Sequence, residues 1–159
     1  MRTEDELTQS YLAHCKTVWN ICYPYFLSQP DTEDAVQETF LRLAQTDKTF
    51  ADTEHEKAWL IVTARNVCKD ELKRTRRREI PLEQAPELSA EAPQPDETMQ
   101  ALHTLPERCR AVLYLFYYEG YKSKEIAKLL HRTDAAVRSD LRRGRQLLKK
   151  RLEELQDEE

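Results

Sequence analysis

The stretch from Glu79 to Glu97, EIPLEQAPELSAEAPQPDE, constrains the fold more than any other part of the sequence. It holds four prolines (Pro81, Pro86, Pro93, Pro95), six acidic residues and no basic one. Each proline fixes φ and removes a backbone donor, so neither a packed helix nor an inner strand is predicted there. The segment reads as a flexible, extended acidic linker. It divides the 159-residue chain into an N-terminal domain over 1–78 and a C-terminal domain over 98–159. Each is close to the smallest size that sustains its own core.

Both flanking parts carry helical periodicity. Leu7, Tyr11, Cys15, Val18 and Cys22 recur at helical spacing as far as Pro24. Pro30 and Asp31 open a second helix, with Glu33 and Asp34 in its first turn and Val36, Phe40 and Leu43 along it. A polar stretch from Thr46 to Glu56 leads to a third helix over about Lys57 to Arg78. Beyond the linker, Pro106 starts a helix that runs to about Glu119, where Gly120 stops it. Ser123 is read as the cap of a short helix ending near Leu130, and Thr133 as the cap of a last helix passing Leu148. Only 2 glycines occur in the whole chain, too few for the turns of a sandwich or barrel. The predicted fold class is all-α: two small helical domains, the second containing a helix-turn-helix.

The net charge of −4 conceals a segregation of charge. Lys57 to Arg78 holds 8 basic and 2 acidic residues, and Lys122 to Arg151 holds 11 basic and 3 acidic. Two basic blocks in an acidic chain point to two anion-binding surfaces, although a basic run is also the ordinary make-up of a solvated helix face. In the third helix Leu60, Ala64, Val67 and Cys68 form an apolar stripe, and Arg65, Lys69, Lys73 and Arg76 recur on another face, as a phosphate-tracking helix requires. Trp59 is read either as core or as a platform for a base. In the last block Ile126, Leu129 and Leu130, then Val137, Leu141, Gly144 and Leu148, turn inward, while Arg138, Arg142, Arg145 and Lys149 share a neighbouring face. That pattern fits a helix-turn-helix whose second helix enters the major groove, or a helical hairpin with a charged face.

Catalytic chemistry has no sequence basis here. There is no Gly-rich phosphate loop, no G-x-S-x-G and no H-E-x-x-H, so an enzyme, a catalytic residue and a bound cofactor are not expected. Cys15, Cys22, Cys68 and Cys109 form no C-x-x-C pair, so no metal site is assigned and a reducing, cytoplasmic setting is expected. No apolar run is long enough to span a bilayer, so no membrane insertion is expected.

Four motifs in order resemble the extracytoplasmic-function sigma factors, the smallest class of the housekeeping sigma family. Asp34-Ala35-Val36-Gln37-Glu38-Thr39-Phe40 is similar to that family's D-x-x-Q-E-x-F, and Trp59, Leu60, Ala64, Arg65, Asn66 and Asp70 to its W-L-x-x-x-A-R-N-x-x-x-D. Leu105, Pro106, Arg110, Val112 and Leu115 follow its L-P-x-x-x-R-x-V-x-x-L. Ile126, Ala127 and Leu130 meet I-A-x-x-L, and Val137 and Ser139 meet V-x-S. The resemblance covers nearly the whole chain.

It implies a factor that binds core RNA polymerase, directs it to promoters and helps melt the minus-ten element. Asp34, Gln37, Glu38, Phe40 and Leu41 would dock on the β′ clamp helices, with core packing as the other reading of Phe40. The 46–56 loop, Trp59 and Asn66 would receive a flipped minus-ten base, and Arg65, Lys69, Lys73 and Arg76 would hold that strand. Lys124, Thr133, Arg138, Ser139, Arg142 and Arg143 would meet the minus-thirty-five element. The other expected partners are the polymerase β flap and an anti-sigma factor, with a free protein that is monomeric. The usual turn glycine is replaced by His131, and Asp134 and Asp140 sit on the recognition helix, where they would repel phosphate or, for Asp140, accept from a cytosine. Asp70 is expected to order a neighbouring arginine. The competing reading is a stand-alone dimeric helix-turn-helix regulator, for which Leu141, Leu148, Leu152 and Leu155 offer only a short dimerisation run.

Overall fold

A computed structural model describes residues 2–78 and 97–157; of residues 75–78 it describes the backbone only. The expected linker over 79–97 lies outside the described residues except for Glu97. The chain forms two units, Met1–Ala92 and Pro93–Glu159. Among the described residues every regular element is a helix, and no helix is long and apolar enough to cross a membrane.

The N-terminal unit packs α1 (Glu4–Phe26), α2 (Gln29–Gln45) and α3 (Thr53–Arg78) against one another. A capping box starts α1: Glu6 N donates to Thr3 Oγ1 at 3.2 Å, and Thr3 N donates to the Glu6 carboxylate at 3.3 Å. Pro24 lies inside its last turn rather than ending it, and Leu27 closes the helix in the left-handed region at φ 53°. The buried arc of α1 is His14, Val18, Ile21 and Cys22, whereas Tyr11, at the same helical spacing in the sequence, is 48% exposed. Cys22 meets Cys68 of α3, both fully buried. Their thiol–thiol hydrogen bond and burial push the Cys22 thiol well above its ordinary value, so it stays protonated.

The C-terminal unit holds α4 (Glu97–His103), α5 (Glu107–Tyr117), α6 (Ser123–Leu130) and α7 (Asp134–Asp157). The sequence reading missed α4, whose Met99, Ala101 and Leu102 are buried. Seven residues that open on the end of an acidic stretch give too little periodicity to register. Gly120 does end the α5 region, at φ 75°. Gly144 lets α7 approach α5 closely, since a Cβ there would stand 2.7 Å from Leu113 Cδ1.

His103 carries the clearest titration in this unit. Burial, helped by the charge of Arg110, pulls its pKa from 6.5 to about 4. The unfolded chain therefore binds the extra proton in this window, and the C-terminal unit loses stability as pH falls from about 6.5 to 4. The loss is of order 1–3 kcal/mol. Denaturant melts of the protein and of His103→Gln across that range check it: the substitution is expected to flatten the slope, and an unchanged slope would assign it to other groups.

Candidate nucleic-acid interfaces

In α3 the site begins four residues earlier than the sequence reading placed it. Asp52 caps the helix, its Oδ1 accepting from His55 N at 2.8 Å, so the last four residues of the expected polar loop, 53–56, are helix. Asp52 is a plain N-cap signal hidden within a run of polar residues. Phe50, in the remaining loop, sets its ring against His55 (centroids 5.2 Å) and Trp59 (5.7 Å). Trp59 is half-buried there, part core and part surface.

At about 100° per residue, Trp59, Asn66, Lys69 and Lys73 fall within one outward arc of roughly 80°. Asn66, Lys69 and Lys73 are exposed. Arg65 does not share that face: it is buried, at 9% exposure. Because α3 packs against both α1 and α2, its inward arc is wider than the expected four-residue stripe and takes in Ile61, Thr63 and Arg65. The Arg76 side chain lies outside the described residues. Asp70 faces an arginine of another helix, Arg42 of α2, but its Oδ2 stands 3.9 Å from Nη2, too far for a hydrogen bond and too exposed to fix the side chain. Arg42 Nε also pairs with Glu38 at 3.3 Å.

On α2 the buried residues Thr32, Ala35, Val36, Thr39 and Leu43 define one face. Opposite them stand Asp34, Gln37 and Leu41, all exposed, with Glu38 half-buried beside them. Leu41 is 51% exposed. Phe40 is half-buried at the edge of this face, its ring edge-on to Tyr11 at 5.1 Å.

In the second unit α6, a turn at 131–133 and α7 form the expected helix-turn-helix. Ile126, Ala127, Leu130, Val137 and Leu141 are its buried contacts. His131 occupies the left-handed position usually given to glycine, at φ 56°, so the turn keeps its geometry. Thr133 caps α7, its Oγ1 accepting from Ala136 N at 3.1 Å. Ser123, by contrast, does not cap α6. Lys122 holds that place, and Ser123 Oγ donates to Asp134 Oδ1 at 2.8 Å. Lys124, Thr133, Arg138, Ser139, Arg142 and Arg143 are all exposed.

Neither reading of the two recognition-helix acids describes them. Asp140 is buried and accepts from Arg108 Nε at 3.1 and 3.0 Å and from Arg132 Nη1 at 3.4 Å. Asp134 takes Ser123 on one oxygen and Arg138 Nε, 3.2 Å away, on the other. Both hold the motif together. Sequence reasoning missed the Arg108 and Arg132 roles, because the first partner is 32 positions from Asp140.

A buried-core helix-turn-helix with a row of outward arginines, together with a second basic helix in a separate unit, defines a DNA-binding protein of the helix-turn-helix class. The comparisons narrow that class. Residues 11–78 match the family described as Sigma-70 region 2, and residues 96–148 match Sigma-70, region 4. The chain is similar to the ECF RNA polymerase sigma factor SigL of Mycobacterium tuberculosis, 30% identical over 155 residues that cover 91% of this chain and 88% of that protein. It is also similar to the probable RNA polymerase sigma factor RfaY of Xanthomonas campestris, 34% identical over 76% of this chain, although it spans only 34% of that relative's length. The solved sigma factor RpoE of Bartonella quintana, in complex with the anti-sigma factor NepR, shares the fold, with a TM-score of 0.71 at 20% identity over 93% of this chain and 97% of that one.

The chain belongs to the extracytoplasmic-function sigma factors: it is an RNA polymerase sigma factor that directs promoter-specific transcription. The reading as a dimeric regulator gives way to that membership.

Proposed function

We propose that the outward faces described above divide the work of initiation among them. The α2 face of Asp34, Gln37, Glu38 and Leu41, with Phe40 at its edge, docks on the β′ clamp helices of core polymerase. The 46–52 loop with Trp59 and Asn66 takes an unpaired minus-ten base, and Lys69 and Lys73 hold the strand's phosphates. Stacking and edge hydrogen bonds there return the few kcal/mol that flipping a base costs. Arg138, Ser139, Arg142 and Arg143 meet the minus-thirty-five element in the major groove, with Lys124 and Thr133 on phosphates.

The acidic segment runs through the polymerase, the β flap is the second polymerase contact, and an anti-sigma factor binds the protein, a pairing of the kind the solved complex of RpoE with NepR holds. The factor works as a cytoplasmic monomer without catalysis or cofactor of its own. The observation that carries the reading is that all six minus-thirty-five residues stand on the solvent side of the helix-turn-helix while its acids are engaged within the fold.

Run-off transcription with bacterial core polymerase, on fragments of the source genome, tests it. Discrete start sites dependent on the protein are expected, and their sequences deliver both promoter elements. Arg142→Ala is expected to weaken promoter use by about 1–3 kcal/mol, concentrated at one minus-thirty-five position. Unchanged transcript levels would take Arg142 out of the interface.

A further inference from the structure

We infer that Arg2 is a positioning residue for minus-ten recognition: it clamps the 46–50 loop into the shape that receives the unpaired base. The inference rests on the reading above, in which that loop and the outward face of α3 take the base.

The Arg2 guanidinium spans the end of α2 and the loop after it. Its Nη1 donates to Leu43 O at 3.0 Å and to Thr46 O at 2.8 Å, and its Nη2 donates to Lys48 O at 2.5 Å. Leu43 O belongs to the last turn of α2, whose carbonyls have no partner further along the helix and favour a cation. The same guanidinium lies 5.2 Å from the centroid of Phe50, the ring that meets His55 and Trp59. One planar group therefore fixes three carbonyls and one aromatic wall at once. A lysine ammonium cannot reproduce that fork.

The Thr3–Glu6 capping box sets the direction in which the chain enters α1, and so brings the residue before the cap onto the loop. Arg2, Lys48 and Phe50 line a cavity of about 500 Å³ whose other charged residues are Glu6, Asp47, Asp52 and Glu56. Capturing an unpaired base is uphill, so a loop already held in its receiving shape captures it more readily than one that must first be ordered. Residue 2 lies outside the family match, which begins at residue 11.

The test uses the full chain with core polymerase on promoters in which each minus-ten position is varied, with opening read by 2-aminopurine fluorescence. Arg2→Ala is expected to reduce base discrimination at one minus-ten position by about tenfold, as loss of charge-assisted hydrogen bonds would. Arg2→Lys should restore only part of it. Core affinity and minus-thirty-five discrimination should stay as in the unaltered protein.

Phe50→Ala serves as the reference for the loop itself. If it flattens discrimination while Arg2→Ala leaves it intact, the loop reading stands and the role of Arg2 is overturned. If neither substitution moves discrimination at any minus-ten position, the loop does not take the base and both readings fall. A loss of core affinity in step with opening would show a general destabilisation, which also overturns the positioning role.

Discussion

Leu41→Lys is expected to lower affinity for core polymerase by about 30-fold or more while leaving the fold intact, because a buried interface anchor contributes about 2 kcal/mol or more. The α2 face opposite the core offers one large apolar side chain, Leu41, ringed by Asp34, Gln37 and Glu38. An exposed leucine among polar residues on a rigid helix is what an apolar anchor with a polar rim requires. Lysine removes the apolar contact and offsets part of the patch's negative charge. It also sits near the end of a helix that closes at Gln45, where a cation is favourable, so helix stability should not suffer. Competition anisotropy against labelled core polymerase measures the effect, with a thermal melt as control. A Kd within about twofold of the unaltered protein would remove Leu41 from the interface, since a two-fold change is under 0.5 kcal/mol.

Asp140→Ala is expected to destabilise the C-terminal unit by about 1–2 kcal/mol, since it removes the hydrogen bonds of a buried carboxylate while Arg108, 64% exposed, is left screened by solvent. Its carboxylate ties Arg108, at the start of α5, and Arg132, in the turn before α7, to the recognition helix. Arg132 also donates to Arg108 O at 3.2 Å, so both arginines gather at one corner of the motif around the Asp140 carboxylate. Alanine leaves both arginines without it. Asp140→Asn keeps an acceptor and should fall between. Denaturant unfolding followed by a probe in the C-terminal unit reads the change, and core binding through α2 should persist. A loss below about 0.5 kcal/mol would mean the cluster is solvated well enough to stand without the carboxylate.

The helix-turn-helix was legible because its signals are local: a 3.6-residue apolar period, the Thr133 cap and a histidine that tolerates a left-handed turn. What escaped depended on distance or on packing from two sides. Nothing near Asp140 in sequence reveals that Arg108 claims it, so the choice between phosphate repulsion and base contact excluded the actual role. Arg65 fits a surface stripe on a helical wheel, yet α1 and α2 together cover more of α3 than one apolar stripe implies. For α3 the start was lost because Asp52, a cap, looked like any other polar loop residue. Arg2 sits outside every motif and acquires meaning only when the 43–50 carbonyls curl around it. The α2 residues named from the resemblance lie opposite the buried Thr32, Ala35, Val36, Thr39 and Leu43, with Phe40 half-buried at the edge because its ring packs on Tyr11.

Arg138 meets solvent already leashed, its guanidinium 3.2 Å from Asp134 one turn earlier. The Asp134 carboxylate competes with any acceptor that approaches this guanidinium, phosphate and base edge alike. A base edge of the right pattern offers two aligned acceptors and can win the exchange. With Arg138 66% exposed, such a pair is worth only about 0.3–0.5 kcal/mol, so the tether sets the resting direction of the guanidinium along the helix without locking it.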